Sequence, residues 1–493
     1  MVVGRPYSFM NILKIKNWIN GSYVNPENDS WVNKYNPHNG EILCKVADSS
    51  DMDVDRAVIV ANNSFVKWAN TSPVERGQIL FEIARLMEVE SDNLSRNIAL
   101  EAGKPIGDAR GEVGAAISQA KFFAGEGMRL YGKSLTSGTH GKYSHTIRQP
   151  HGTVGLIVPA NTPIANIAWK IFPALICGNT AVLKSSEDSP SVANMMAEIA
   201  KRASLPDGVL NIIQGTKKAG VAIVENTNIP LISFTGSTSV GQWIASAAGK
   251  RLARVSLELG GKNSFVVCDD ADIDQAVNWA SLSAFSNAGQ RCAAASRILV
   301  HKDIYDEFLN KLVAKAKKLK VGIGDDCDLG PVINSRQHKN ILSAIDGAVK
   351  NGGRIVLGGS INDPKLNKGY YVLPTIIENL ANNAEINTTE IFGPVVTMQK
   401  FEDINEALLL ANDSNFGLTA AIHTTNVDKA MWYAQRVRTG VVNINIGTYG
   451  SEPHMPFGGF GFSGNGTREP GVEALDVYSE LKNISFLTRE NLI

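Results

Sequence analysis

The sequence predicts an α/β protein with two doubly wound parallel-sheet domains and a small β arm. Three observations predict it. Short strand-like runs alternate with helical stretches from Gly152 to Asn263, and the same grammar resumes from Ser264 to about Asn443. Between the early helices and the first of these runs lies a polar excursion, 132–149, with a β-like partner near the C-terminus at Ile484–Leu487. Alternating strands and helices build a parallel sheet covered on both faces. A chain of 493 residues also exceeds what one core of about 250–300 residues fills.

The bulk composition excludes several classes. Hydrophobic residues make up 44% and charged residues 19%, as in an ordinary globular protein. Lys plus Arg and Asp plus Glu are 48 each, so no net charge points to a polyanion such as nucleic acid. The five cysteines form no CxxC pair and no Cys/His set with metal spacing, which suits a reducing compartment. No run of 18 apolar residues marks a membrane span, and Arg5, Lys14 and Lys16 interrupt the first apolar patches. A cytoplasmic protein with no metal is the expectation.

In chain order, 17–47 alternates apolar and polar residues around Asn-Gly and Asn-Pro turns and reads as a small set of strands. From Ser50 to Met128 the period becomes helical. Asp51, Asp53 and Asp55 open one helix, and Ser72-Pro73 opens the next as N-cap and first helical residue. The segment 132–149 is too polar to bury much alone. It reads as an arm that pairs with another subunit, or as a surface hairpin of a monomer. Strands are expected at 154–158, 181–184, 209–213, 231–235 and 254–259, with helices at 167–176, 192–203, 218–225 and 240–248. Ligands on such sheets sit at the carboxyl ends of the strands. The second α/β stretch carries a strand at 296–300, a helix at 304–316, a glycine turn at 351–353 and a strand at 395–401.

Cys292 sits in Ser286–Arg297, which reads SNAGQRCAAASR. Alanine and glycine around a thiol leave space beside it, as a nucleophile needs. A lone cysteine is otherwise a small core hydrophobe. Glu258 ends an apolar run in RVSLELGGKN. Its burial would raise its pKa, as suits a general base, and the alternative is a salt-bridged structural carboxylate. In FTGSTSVG a strand runs into Gly236 and a helix starts near Thr238, where free N–H groups would hold a phosphate. The glycine spacing is not that of the usual dinucleotide motif, so a plain tight turn reads as well. Glu187 follows the second strand, where an acid takes ribose hydroxyls, or is a solvated residue at a helix start. Asn161 lies between a strand and a helix, placed as an oxyanion donor or as a turn residue.

Taken together, LELGGKN (257–263), NAGQRC (287–292), FTGSTSVG (234–241), EIFGPV (390–395), NFGLTAAI (415–422) and PFGGFGFSGNG (456–466) resemble the aldehyde dehydrogenase superfamily, in order and in spacing, over nearly the whole chain. The resemblance implies a cofactor domain from 1–131 and 150–263, and a catalytic domain from 264–443. It further implies an oligomerisation arm and strand at 132–149 and 477–493, with 444–476 returning to the cofactor domain. It implies Cys292 as nucleophile, Asn161 in an oxyanion hole, Glu258 as base, and Lys170 with Glu469 as a proton relay. For the cofactor it implies Val158, Pro159, Lys184, Glu187, Gly215, Phe234, Gly236, Ser237, Leu259, Glu390 and Phe392. A carboxylate at Glu187 favours NAD, with NADP as the alternative. Thr162, Asn166, Trp169, Arg291, Ala293, Glu452 and His454 are the implied substrate contacts. Their polarity points to a polar or acidic aldehyde, and Arg291 is placed either to clamp a substrate carboxylate or to point away. Ala160 stands where the family often has Trp, which opens the lip of the pocket.

Two rivals remain at this stage. A CoA-acylating enzyme of this type lacks a Glu at the position of Glu258. A non-catalytic protein on the same fold need not keep Cys292, Glu258 and Asn161 together. The arm implies a homodimer or a homotetramer.

Overall fold

A computed structural model of the chain describes residues 12–359, 361 and 363–488. The outermost parts of the expected 1–131 and 477–493 segments lie outside the described residues.

The first sheet has seven strands in the order Arg254–Glu258, Leu231–Thr235, Thr153–Ile157, Thr180–Lys184, Leu210–Ile213, Asn17–Ile19 and Ser22–Val24. Five are parallel and doubly wound, as expected. The strand order reverses between Thr153–Ile157 and Leu231–Thr235, which opens a crevice there. The last two strands differ from the all-parallel expectation. They form an antiparallel hairpin added at the edge. Asn17 anchors it, since its Oδ1 accepts the Gln214 N–H at 2.8 Å while its amide donates to Ser49 Oγ at 2.8 Å.

The second sheet also has seven strands, ordered Arg354–Leu357, Thr375–Glu378, Val395–Phe401, Ala295–His301, Asn263–Val267, Thr419–His423 and Val441–Ile444. All pair in parallel except Arg354–Leu357. Near-continuous Val, Ile, Leu and Phe in the central strands answers burial on both faces.

The polar excursion forms the strands Ser134–Leu135 and Lys142–Pro150, and the C-terminal strand Ser479–Leu487 pairs along the second from Ser479↔Pro150 to Leu487↔Lys142. The tail therefore does meet the arm. Residues 444–476 cross back toward the first sheet. Gly464 bridges Glu258, and Ala474, Leu475, Val477 and Tyr478 pack in the core built on the helix Pro163–Ile176.

Helix starts follow their local chemistry. Ser72 Oγ accepts the Glu75 N–H, and Ser50 with Asp53 forms a capping box. The helix expected from Ile167 begins earlier, at Pro163, because a proline at the first position is already set for the turn. Among the described residues no helix is long and apolar enough to cross a membrane, and no group of three or more His, Cys, Asp or Glu is arranged to hold a metal ion.

Candidate active site

A cavity of about 740 Å³ opens at the carboxyl ends of the first sheet. Its wall includes Pro159 after one central strand, Thr235-Gly236-Ser237 after the next, and Glu258-Leu259-Gly260 after the edge strand. Cys292 faces it from the other lobe. That thiol precedes the strand Ala295–His301, so the amino ends of the second sheet meet the carboxyl ends of the first.

The loop around Cys292 is built by unusual backbone. Asn287 and Ala288 hold φ of 52°. Asn263, just after the two glycines, clamps the turn. Its amide donates to Cys292 O at 2.7 Å and to Ala294 O at 2.8 Å, and its Oδ1 accepts the Thr419 N–H at 3.1 Å. A Cβ at Gly261 would stand 2.5 Å from Cys292 O, and one at Gly260 would stand 2.3 Å from Glu390 Oε2. Gly261 excludes a side chain because the near atom is backbone, whereas at Gly260 the Glu390 side chain would have to move. Cys292 is half-buried, and burial first, then the carboxylates of Glu390 and Glu258, push its thiol up to about 12.

Asn161 sits across from the thiol. Its Nδ2 donates to Gln290 O at 3.0 Å, which fixes the amide and leaves its second N–H available. Its backbone carbonyl accepts from Lys104 Nζ at 2.6 Å and Asn287 Nδ2 at 3.1 Å. Lys104 is itself held by Glu112 at 2.7 Å, and Glu112 accepts the Ile164 N–H at the start of the next helix. Lys104 and Glu112 are supports that the sequence did not flag. Neither lies in a motif, and the backbone groups they hold, Asn161 O and the Ile164 N–H, are 57 and 52 residues away.

Glu258 is 3% exposed, and neither carboxylate oxygen has a hydrogen-bond partner. Burial, with the charge of Glu469 added, raises its pKa well above the usual carboxylate range, against the opposing pull of Lys170 and Arg468. Behind it lies a saturated network. Lys170 Nζ donates to Glu469 Oε2 at 2.8 Å and to Ser233 Oγ at 2.7 Å, while Ser233, Ser256 and Tyr478 hydroxyls donate to Glu469 Oε1 at 2.8, 3.0 and 3.1 Å.

Of the residues implied for a cofactor, Pro159, Gly236, Ser237, Leu259, Glu390 and Phe392 lie on the cavity wall. Val158, Lys184 and Gly215 lie off that wall, after or at the ends of successive strands, and Glu187 accepts from Lys184 Nζ at 3.3 Å. Phe234 is 6% exposed and lies beneath Gly236. Glu390 accepts the Gly261 N–H at 3.0 Å, and burial pushes its carboxyl up to about 7. The helix Thr238–Gly249 begins at the wall with no side chain capping it, and the Thr235 hydroxyl there is buried without a partner. An uncapped helix start and an orphan hydroxyl fit a phosphate-bearing ligand. Gln337 is a wall residue that the sequence reading missed. Its amide donates to Ile391 O at 2.8 Å and Phe392 O at 3.0 Å, so it braces the loop that carries Glu390.

On the substrate side, Thr162, Asn166 and Trp169 line the cavity, joined by Phe457, whose ring centroid is 5.3 Å from that of Trp169. Ala293 is buried against Leu418 and Phe457. Arg291 lies off the wall, 4.8 Å over the Tyr449 ring and 3.8 Å from Asp108. Glu452 and His454 depart from expectation. They are exposed on a turn around Pro453, 3.9 Å apart, and are not among the residues of the cavity wall.

These features match known proteins. The model of the aldehyde dehydrogenase family matches residues 23–484. An alpha-ketoglutaric semialdehyde dehydrogenase of Bacillus subtilis is 36% identical over 473 residues, covering 95% of this chain and 97% of that one. Aldehyde dehydrogenase 1A1 of Mus musculus is 38% identical, covering 98% and 97%. A betaine aldehyde dehydrogenase of Staphylococcus aureus, solved with NAD+, superposes with a TM-score of 0.94 at 33% identity, covering 98% of this chain and 96% of that one. With the match running through both sheets and the crevice between them, the chain belongs to the aldehyde dehydrogenase family.

Proposed function

We propose that the protein oxidises a polar or acidic aldehyde to the carboxylic acid, using NAD, through covalent catalysis at Cys292. The observation that carries this reading is the single cavity wall shared by a thiol, a fixed amide and an unpartnered buried carboxylate. The Cys292 thiolate adds to the aldehyde carbon and makes a thiohemiacetal oxyanion. The free Asn161 N–H and the Cys292 backbone N–H receive that charge, the kind of donor whose loss costs about 10²–10³ in rate. NAD held in this crevice would supply the hydride acceptor for that carbon, which would leave a thioester on Cys292. Glu258 takes a proton from water, the water attacks the thioester, and the acid leaves as the thiolate is restored. Burial raises both the Cys292 thiol and the Glu258 carboxyl above their ordinary values. Lys170 and Glu469 stand behind Glu258 as a relay to it.

Ser237, Gly236 and the start of the helix Thr238–Gly249 would hold the pyrophosphate, Glu187 and Lys184 the adenosine ribose, and Glu390 with Phe392 the nicotinamide end. Glu187 supports NAD over NADP, because a carboxylate accepts from a free 2′-hydroxyl and repels a 2′-phosphate. Thr162, Asn166 and the neighbouring Arg291 support a polar or acidic substrate. The strand Ser479–Leu487 exposes Leu481, Phe486 and Leu487, which supports assembly of the arm into a homodimer or homotetramer. Glu258 weighs against a CoA-acylating reaction.

The test is reduced-cofactor absorbance with NAD and a panel: succinate semialdehyde, 2-oxoglutarate semialdehyde, lactaldehyde, glycolaldehyde, hexanal and benzaldehyde. Turnover with the polar members, lost in Cys292→Ala, is expected. Preference for hexanal or benzaldehyde would overturn the substrate reading. Turnover that survives Cys292→Ala would overturn the mechanism.

A further inference from the structure

Arg291 immediately precedes the reacting thiol, and its surroundings bear on substrate charge. Its guanidinium lies over the ring of Tyr449, which packs on the cluster of Trp169, Cys292, Ala293 and Phe457. Asp108 Oδ1 stands 3.8 Å from Arg291 Nη2, an ion pair too long for a direct hydrogen bond. Arg291 Nε is buried and has no hydrogen-bond partner, and neither has the buried Ser286 Oγ. A guanidinium carries five N–H donors in a planar fork. Here a ring and a counter-charge hold the fork. The buried Nε is closed to a ligand, so an oxygen-bearing group would meet the terminal Nη amines of the partly exposed side chain.

Asp108 cannot simply swing aside. It lies in the first turn of the helix Ile106–Glu126, where the helix dipole favours it, and its Oδ2 accepts the Asn287 N–H at 3.0 Å. That hydrogen bond braces the kinked backbone leading to Cys292. A substrate carboxylate approaching Arg291 therefore meets a fixed negative charge beside its target. A substrate hydroxyl or carbonyl can use the same donors without that repulsion.

Resting on the reading of Cys292 as nucleophile, we infer that Asp108 is a specificity-determining residue that competes with a substrate carboxylate for Arg291 and so favours neutral polar over acidic aldehydes. Arg291 and Asp108 side chains are 24% and 25% exposed, so dissolved salt reaches the pair and screens the competition.

The experiment compares kcat/KM for succinate semialdehyde and glycolaldehyde in wild type, Asp108→Asn, Asp108→Glu and the double variant Asp108→Asn with Arg291→Gln. Asparagine keeps an acceptor for the Asn287 N–H and removes the charge. The ratio of succinate semialdehyde to glycolaldehyde efficiency should rise about tenfold in Asp108→Asn, an effect of the size that one such charge contact carries. The rise should appear in KM, shrink as salt is raised, return to the wild-type ratio in Asp108→Glu, and vanish in the double variant. A second readout needs no turnover. Alkylation of Cys292, followed on its peptide by mass spectrometry, should speed up for anionic iodoacetate relative to neutral iodoacetamide in Asp108→Asn. Equal shifts for both aldehydes and both reagents would overturn the inference alone. A gain that persists without Arg291 would also overturn it. Absence of turnover with every aldehyde would overturn the underlying reading and this inference with it.

Discussion

Glu258 and Glu469 are both buried carboxylates, 3% and 0% exposed, and they share one corner of the molecule. Their surroundings are opposite. Glu469 faces an ammonium and three hydroxyls, and its Oε1 alone accepts from Ser233, Ser256 and Tyr478. Glu258 has the cavity in front of it and no partner for either oxygen. A buried charge is tolerated when its partners replace water, and it is costly when they do not. Glu469 is held by the fold. Glu258 is held open by the fold, and its spare proton affinity is the property that the proposed catalysis would use.

That contrast can be broken by substitution, starting with the largest effect. Glu258→Gln should lower turnover by about 10²–10⁴-fold while moving the urea midpoint by no more than about 1 kcal/mol equivalent. A large loss of stability would make Glu258 a structural residue instead. Glu469→Gln differs in that its cost falls on stability as well as on turnover through the relay. It leaves Lys170 buried without its counter-charge and should cost about 3–5 kcal/mol in urea unfolding. If unfolding is unchanged, the network is not the support described here.

The comparison sharpens at the amide and at the cofactor loop. Asn161→Ala should lower kcat by about 10²–10³-fold with little change in KM for the aldehyde, because the donor acts on charge that develops only during reaction. A rise in KM alone would assign Asn161 to binding. The smallest effect concerns Glu390. Its carboxyl is raised by burial to about 7, so the proton leaves as pH rises through that value and the ionised form can accept from a ribose hydroxyl. KM for NAD should therefore fall by up to about tenfold between pH 6 and pH 8, and Glu390→Gln should flatten the profile. An unchanged profile in that variant would remove Glu390 from the cofactor contacts.

Much of this was legible because it is local. Strands at 231–235 and 395–401, the Ser72 cap and the helix near Thr238 follow from short-range pattern and turn chemistry. The motifs also placed Cys292, Glu258 and Asn161 as candidates, and the fold sets all three on one wall. What the sequence could not show depends on distant partners. Lys104 meets Asn161 across 57 positions, and Asn161 meets Gln290 across 129. No periodicity reports that the hairpin Asn17–Val24 joins the first sheet antiparallel, because the contacts that fix it lie on Gln214 and Asn211. Glu452 and His454 show the opposite limit. Polar residues near a motif read as ligand contacts, yet a short turn around Pro453 leaves them in solvent.

The central claim is that Cys292 carries the acyl group and Glu258 releases it. The most direct measurement is the intact mass of Glu258→Gln after brief incubation with NAD and a turned-over aldehyde. The account predicts one added acyl group, mapped to Cys292 and absent from Glu258→Gln combined with Cys292→Ser. An unmodified protein in the single variant, or the same adduct in the double variant, would contradict it.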